Sequence, residues 1–152
     1  MCTIKTVGYF SLTTKELKQA GLKVTLPRMK ILDMLQDHED LHLTAEDIYK
    51  MLLGAGEEIG LATVYRVLTQ FESAGLVKRH YFEGGQSVFE LNQGDHHDHI
   101  VCLKCGRIEE FYDEVIEQRQ RDIAAKRGFE LAEHCLILYG NCVRKDCPHG
   151  TD

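Results

Sequence analysis

Three histidines, two aspartates and two cysteines lie within eleven consecutive residues near the middle of the chain. If this segment is extended, its side chains alternate between two faces, with His97 and His99 on one face and His96 and Asp98 on the other. One short strand can therefore supply ligands to two separate metal sites. The acidic run at 108–111 offers carboxylates from a paired strand. The alternative interpretation is a histidine-rich surface exposed to solvent.

Four cysteines form two short-spaced pairs. Cys102 and Cys105 are separated by two residues, and Cys142 and Cys147 by four. Two such pairs are typical of a tetrahedral structural zinc site, whose ligands are thiolates. The alternative is a set of unpaired, buried cysteines.

Length and composition favour a small intracellular protein. A chain of 152 residues with 43% apolar content can form one domain or two small ones. Six cysteines raise the possibility of disulfides, but residues 1–14 lack the apolar core of a secretory signal, and no apolar run is long enough to cross a membrane. We therefore expect a cytoplasmic protein with reduced thiols.

The charge distribution allows nucleic-acid binding on one face. The formal net charge of −6 argues against indiscriminate binding to nucleic acid. Residues 15–30, however, contain five basic side chains and one acidic side chain, a local charge of +4 (5 − 1). A basic face on an acidic protein is therefore possible.

The N-terminal part predicts four helices after a tail at 1–13. Thr14 can cap a short helix at 15–20, and Thr25 with Pro27 can start a second one. Thr44 and Asp47 resemble a capping box at the start of a third helix. A fourth helix is expected at 61–74. The apolar spacing predicts the buried residues Ile31, Leu32, Leu35, Ala45, Ile48, Leu52, Val64, Val67, Leu68 and Phe71.

The last of these helices has a polar face and precedes a predicted β-hairpin. Thr63, Tyr65 and Arg66 are residue types that contact phosphates and base edges. Residues 76–82 and 87–91 alternate around a glycine-containing turn. Three helices followed by a hairpin make a winged helix. The alternative is a helical bundle whose polar face is only solvated.

The C-terminal part predicts a smaller α/β unit beyond a hinge at 92–95. After the strand with the histidines and the strand at 108–111, Asp113 can cap a helix that ends near Arg127 and buries Ile116 and Ile123. Residues 129–139 alternate as in a third strand. The predicted fold is therefore α+β, with a DNA-binding unit at 1–91 and an α/β unit at 96–152.

Several motifs in this order and spacing resemble the ferric uptake regulator (Fur) family. They are GLKVTLPR at 21–28, GEEIGLATVYR at 56–66, HHDH at 96–99 and the cysteine pair at 102–105. The resemblance covers nearly everything from 17 to 147. It implies an N-terminal winged helix, a C-terminal α/β dimerisation domain with a structural zinc site of four cysteines, and a metal-dependent repressor of iron-uptake genes that binds palindromic AT-rich DNA as a homodimer or tetramer.

The resemblance also implies three metal sites and a DNA-binding face. The regulatory site would comprise His42, Glu90, His97, His99 and Glu110. The second site would comprise His96, Asp98, Glu117 and His134. The structural zinc site would comprise Cys102, Cys105, Cys142 and Cys147. DNA contacts would come from Lys23, in the minor groove, and from Tyr65 and Arg66, in the major groove, with Thr63 on the same helix face. Cys135 is expected to be a small buried residue and not a ligand.

The resemblance leaves the sensed metal open. A mixed shell of imidazoles and carboxylates suits Fe(II) and also accepts Mn(II), Co(II) or Zn(II). Members of the family sense iron, zinc, manganese, nickel or peroxide. Peroxide-sensing relatives tend to have aspartates where this chain has Glu90 and Glu110, which favours an iron sensor; a zinc, manganese or peroxide sensor is the alternative. Two other classes compete with a repressor: a metal hydrolase with Glu109 as general base, and a zinc-stabilised dimer that never contacts DNA. We expect no enzymatic activity.

Overall fold

The chain forms two compact units, 1–93 and 94–152. The structure, a computed structural model, describes residues 6–39, 41–82 and 86–147, with side chains from Thr13 onward. Residues 1–5 of the expected tail, including Cys2, and residues 83–85 of the expected turn lie outside the described residues. No described helix is long and apolar enough to cross a membrane.

The first unit contains four helices and a two-stranded antiparallel sheet. The helices are α1 (Thr6–Gln19), α2 (Leu26–Asp37), α3 (Ala45–Gly54) and α4 (Leu61–Ser73), and the strands are β1 (Val77–Tyr81) and β2 (Ser87–Leu91). The prediction of an irregular tail at 1–13 is wrong for residues 6–13, because α1 begins at Thr6. This segment has no apolar period to reveal the helix. It packs against α2, where buried Thr13 donates a hydrogen bond to Asp33 Oδ1 at 2.5 Å.

The core of the first unit is apolar and continuous. Every apolar residue predicted to be buried in the second, third and fourth helices is buried. Thr44 and Asp47 form the reciprocal capping box, with both bonds at 3.0 Å: the two backbone N–H groups at the start of α3 each donate to the other residue's side-chain oxygen. Gly75 adopts a φ of 76°, which lets the chain leave α4 and enter β1.

Over its described residues, 94–147, the second unit contains a three-stranded sheet and one helix. The strands are β3 (Asp98–Cys102), β4 (Ile108–Phe111) and β5 (Ile137–Gly140), in the order β4-β3-β5, and the helix is α5 (Glu114–Lys126). Asp113 caps α5 by accepting from the amides of Val115 and Ile116. The expected strand at 129–139 is wrong for its first part, because β5 begins only at Ile137.

Two expectations about burial in the second unit are also wrong. Ile123 is 43% exposed, and the buried residue of α5 is Glu117. Cys135 is exposed because it lies in the irregular stretch before β5. Among the described residues of this unit, the buried hydrophobics are Val101, Cys102 and Cys147, beside buried Asp98, His99 and Glu117. Most of the residues buried in this unit are therefore cysteines, histidines and acidic residues, the types that commonly bind metals.

Candidate metal centres and DNA-binding face

Three of the four predicted zinc cysteines lie together. The Sγ atoms of Cys102, Cys105 and Cys147 are all within 4.8 Å of one another. Cys142 is outside this group, but its backbone N–H donates to Cys102 Sγ at 3.2 Å. All four are free thiols. Three thiols that lie close together, with Cys142 next to Cys102, match the thiolate ligands of a structural zinc site.

The local backbone prepares Cys102 to act as a thiolate. Gly106, with a φ of 73°, turns the chain so that its N–H bonds to the Cys102 carbonyl at 2.9 Å. Backbone N–H groups of Cys105 and Cys142 donate to the sulfur and, although burial opposes them, lower the pKa of Cys102 to about 6. The thiolate, which is the form that binds metal, is therefore favoured at neutral pH.

The second predicted site lies entirely within the second unit. Ligand atoms of His96, Asp98, Glu117 and His134 are all within 4.8 Å of one another. His96 Nε2 is 3.2 Å from Asp98 Oδ1 and 3.1 Å from Glu117 Oε1, and His134 Nε2 is 3.1 Å from the same Glu117 oxygen. The cluster therefore combines two imidazoles with two buried carboxylates.

The electrostatics of this cluster fit a divalent cation. Among the described residues, neither oxygen of Asp98 has a hydrogen-bond donor in suitable geometry, although Asp98 is 1% exposed. Burial raises the pKa of Glu117, but the hydrogen bond and charge of His134 and the charge of His96 outweigh it and hold that pKa below its usual value. Burying two carboxylates close together is costly unless positive charge compensates them.

The face of β3 opposite to Asp98 contributes to the predicted regulatory site. The rings of His97 and His99 are 5.0 Å apart, and His97 Nε2 is 3.4 Å from Glu110 Oε1. The β3–β4 register places His99 directly opposite Glu110. Adjacent histidines therefore belong to different clusters, as the alternation of side chains predicted: His96 lies with Asp98 and His97 lies with His99.

The first unit contains the other two predicted regulatory residues, His42 and Glu90. His42 Nε2 is 2.9 Å from Glu90 Oε2, and the carboxylate is 4% exposed. A further imidazole, that of His80 on β1, lies 2.8 Å from Glu90 Oε1. No apolar period or motif in the sequence points to His80. The available signal was that a carboxylate in a buried strand needs hydrogen-bond donors.

The predicted DNA-binding residues lie on an exposed face of the first unit. Tyr65 and Arg66 are exposed on α4, Lys23 is exposed in the loop before α2, and Thr63 is half-buried on α4. Arg28 donates to Gln70 of α4 at 2.9 and 3.2 Å and to the Lys23 carbonyl at 2.8 Å. Arg28 thereby holds the Lys23 loop against α4, a role that the sequence did not reveal.

Comparisons with known proteins agree with this geometry. A model of the ferric uptake regulator family matches residues 19–139. The chain belongs to this family. The ferric uptake regulation protein of Cupriavidus metallidurans is 63% identical over 134 residues, which are 88% of this chain and 94% of that protein.

Solved structures of family members share the fold. The ferric uptake regulator of Vibrio cholerae is 63% identical, with a TM-score of 0.79 over 85% of this chain and 98% of that one. The regulator of Pseudomonas aeruginosa, solved with manganese, is 56% identical, with a TM-score of 0.76 over 88% of this chain and 99% of that one. The segment matched by the family model contains all the histidines and carboxylates of the clusters above but ends before Cys142 and Cys147.

Proposed function

We propose that this chain represses iron-uptake genes by binding a palindromic AT-rich operator when Fe(II) occupies a regulatory site formed by His42, Glu90, His97, His99 and Glu110. Membership of the ferric uptake regulator family makes it a metal-dependent transcriptional repressor of iron uptake. The ligand set, the metal sensed and the operator are the proposed parts.

The observation that carries the proposal is the split of the five residues between the two units. His42 and Glu90 already contact each other in the first unit, and His97, His99 and Glu110 form a group in the second. A divalent ion bound by both groups would supply a fixed link across the predicted hinge at 92–95. Neutral imidazoles and carboxylates are ligands that suit Fe(II) and accept Mn(II), Co(II) or Zn(II).

The link matters because an operator with two half-sites requires a defined distance between two recognition helices. In this scheme α4 is the recognition helix, with Tyr65 and Arg66 in the major groove and Lys23 in the minor groove. Coupling between metal and DNA must be reciprocal and typically amounts to about 1 to 3 kcal/mol. The proposed partner of this repressor is double-stranded operator DNA, and the proposed location is the cytoplasm.

We further propose that the second unit forms a homodimer. Its apolar side chains are poorly covered: Tyr112 is 60% exposed, Val115 78% and Phe129 71%. On the sheet, Ile100 of β3 lies in register with Leu138 of the edge strand β5, and both are about two-fifths exposed. Exposed apolar patches of this kind mark interaction surfaces. A Leu138→Glu variant should sediment as a monomer, whereas Val143→Glu, at a 93% exposed loop position, should remain dimeric.

Fluorescence anisotropy of a labelled palindromic AT-rich duplex tests the switch. Mn(II), an air-stable substitute for Fe(II), should tighten binding by about 5- to 150-fold, and a scrambled duplex should show a smaller response. The double variant His97→Ala/His99→Ala should lose the response to Mn(II) while keeping its structural zinc. Equal affinity of the wild-type protein with and without Mn(II) would overturn the proposal.

The same assay separates the competing functions. A zinc-stabilised dimer that does not contact DNA predicts that Tyr65→Ala and Arg66→Ala leave operator binding unchanged. A metal hydrolase needs an open coordination position and a general base. Glu109, the expected base, instead forms a bidentate pair with Arg144 at 2.6 and 3.0 Å, which favours the repressor. Competition between Fe(II), Mn(II) and Zn(II) in this assay, and exposure to peroxide, distinguish the four possible signals.

A further inference from the structure

The buried carboxylate of Glu90 is held from both sides by imidazoles. His42 Nε2 faces Oε2 at 2.9 Å, and His80 Nε2 faces Oε1 at 2.8 Å. The side chains of His42, His80 and Glu90 are 7%, 13% and 4% exposed. This cluster lies wholly within the first unit, and His80 belongs to neither predicted histidine site.

The backbone of the first unit fixes this arrangement. In the β1–β2 register His80 pairs with Val88, one pleat from Glu90, so the two side chains share a face of the hairpin. Phe82 stacks on the His80 ring, with centroids 5.7 Å apart and planes 11° apart. His42 is held next to β2, the strand of Glu90, because its neighbour Leu43 forms two backbone hydrogen bonds with Phe89, of 3.2 and 2.8 Å.

The two histidines differ in what metal binding would require of them. An ionised carboxylate only accepts hydrogen bonds, so an imidazole can hydrogen-bond to Glu90 only through a ring nitrogen that carries a proton. An imidazole cannot coordinate through a nitrogen that carries a proton. As a ligand through Nε2, His42 must give up its hydrogen bond to Oε2, whereas His80 can keep its own.

We propose that His80 is a positioning residue for the regulatory site: its Nε2–H holds Glu90 Oε1 and thereby presents Oε2 beside His42 for coordination. This inference rests on the proposed regulatory role of Glu90 and His42. Hydrogen bonds to ligating carboxylates orient the ligand, and their loss typically reduces metal affinity about 10- to 100-fold. Phe82, stacked on the ring, limits the directions in which His80 can turn.

Co(II) titration of the full-length, zinc-loaded protein tests the role of His80, since the visible spectrum of Co(II) reports its ligands. His80→Phe removes the donor but keeps a ring that can stack on Phe82. We expect its Co(II) affinity to fall about 10- to 100-fold, with a shifted absorption band at saturation and one Co(II) still bound at the regulatory site. His80→Gln retains an N–H donor and should recover most of the affinity and the wild-type band. Circular dichroism reports whether the helical first unit of each variant is folded, and zinc content reports the same for the second unit.

Each other outcome overturns the inference in a recognisable way. If His80→Phe binds Co(II) with wild-type affinity and spectrum, Glu90 needs no support from His80. If the variant loses the bound Co(II) altogether, as a His97→Ala variant should, His80 is a ligand and not a positioning residue. If His80→Gln is as impaired as His80→Phe, the hydrogen bond is not the cause. The proposed function itself would fail if His97→Ala left wild-type Co(II) binding unchanged, a result that does not involve His80.

Discussion

The hydroxyl of Tyr65 donates a hydrogen bond of 2.6 Å to Glu46 Oε1, which connects α4 to the first turn of α3. This bond raises the pKa of Tyr65, and desolvation and the charge of Glu46 act in the same direction. A residue expected to contact DNA is therefore already oriented by an acidic side chain. The same carboxylate places a negative charge close to where phosphates are expected.

Replacing Glu46 by glutamine should strengthen DNA binding without changing its specificity. Glutamine can still accept the Tyr65 hydrogen bond, but the charge that repels phosphates is removed. For an exposed charge the gain should be about 0.5 kcal/mol, roughly twofold at low salt, and should shrink as salt rises. Anisotropy titrations with the operator and with a scrambled duplex at two salt concentrations would measure it.

Tyr65→Phe is the matched control for this prediction. It removes the hydroxyl and should weaken operator binding more than binding to the scrambled duplex. If Glu46→Gln weakened operator binding to the same extent as Tyr65→Phe, the carboxylate would matter for orientation and not for charge.

Substitutions of the adjacent histidines His96 and His97 should have different effects. His97→Ala should remove the response of operator binding to Mn(II), because it takes a ligand from the proposed regulatory site. His96→Ala should leave most of that response and lower the number of metal ions bound, because it affects the cluster with Asp98 and Glu117. Equilibrium dialysis with metal analysis, run beside anisotropy, would measure both effects. Identical phenotypes would contradict the division of the two sites.

Cys102→Ser should unfold or monomerise the second unit. Structural zinc contributes folding free energy directly, and this unit buries few apolar side chains that could compensate. The first unit, with its own apolar core, should keep its helical signal. Sedimentation, zinc content and circular dichroism would follow the change. The control is Cys135→Ser at an exposed position, which should behave as the wild type; a stable, zinc-free dimer of Cys102→Ser would contradict the prediction.

Zinc retention should weaken as the pH falls through about 6. The folded-state pKa of Cys102 is about 6 against an ordinary value of 9.0. Because this pKa is lowered, the folded form binds fewer protons than the unfolded chain between these values, so the contribution of Cys102 to stability increases from pH 6 to pH 9 and is lost below about 6. Below the same pH, protons compete with zinc for this sulfur, which weakens zinc binding. A colorimetric chelator added at pH 5, 6, 7 and 8 would measure zinc release. Release that does not depend on pH in this range would refute the prediction.

The sequence predicted the elements whose signal is local. Helix α3 followed from its capping box and from apolar positions at helical spacing, and the two faces near His97 followed from a period of two. Helix α1 was missed in its first half because its burial depends on contact with α2, which no local period encodes. His80 was missed because its relation to Glu90 arises only when β1 and β2 pair in a particular register.

Ile123 shows a different limit of sequence reasoning. Its spacing in α5 predicts an apolar stripe with Ile116, but Ile116 is only half-buried and Ile123 is exposed, where the sequence predicted burial of both. An apolar period indicates that a face is to be covered and does not say by which molecule. Only the fold shows that the protein's own strands do not cover it, which is why α5 enters the proposed dimer surface.

The alternation at 96–99 constrains how the chain can change in length. A substitution in this segment affects one cluster at a time. A single inserted or deleted residue would instead rotate every following side chain to the opposite face of β3 and exchange the donors of both clusters at once. We therefore expect single substitutions in this segment to act on one cluster each, and we expect a gain or loss of one residue to preserve both clusters only in a neighbouring stretch such as 92–95.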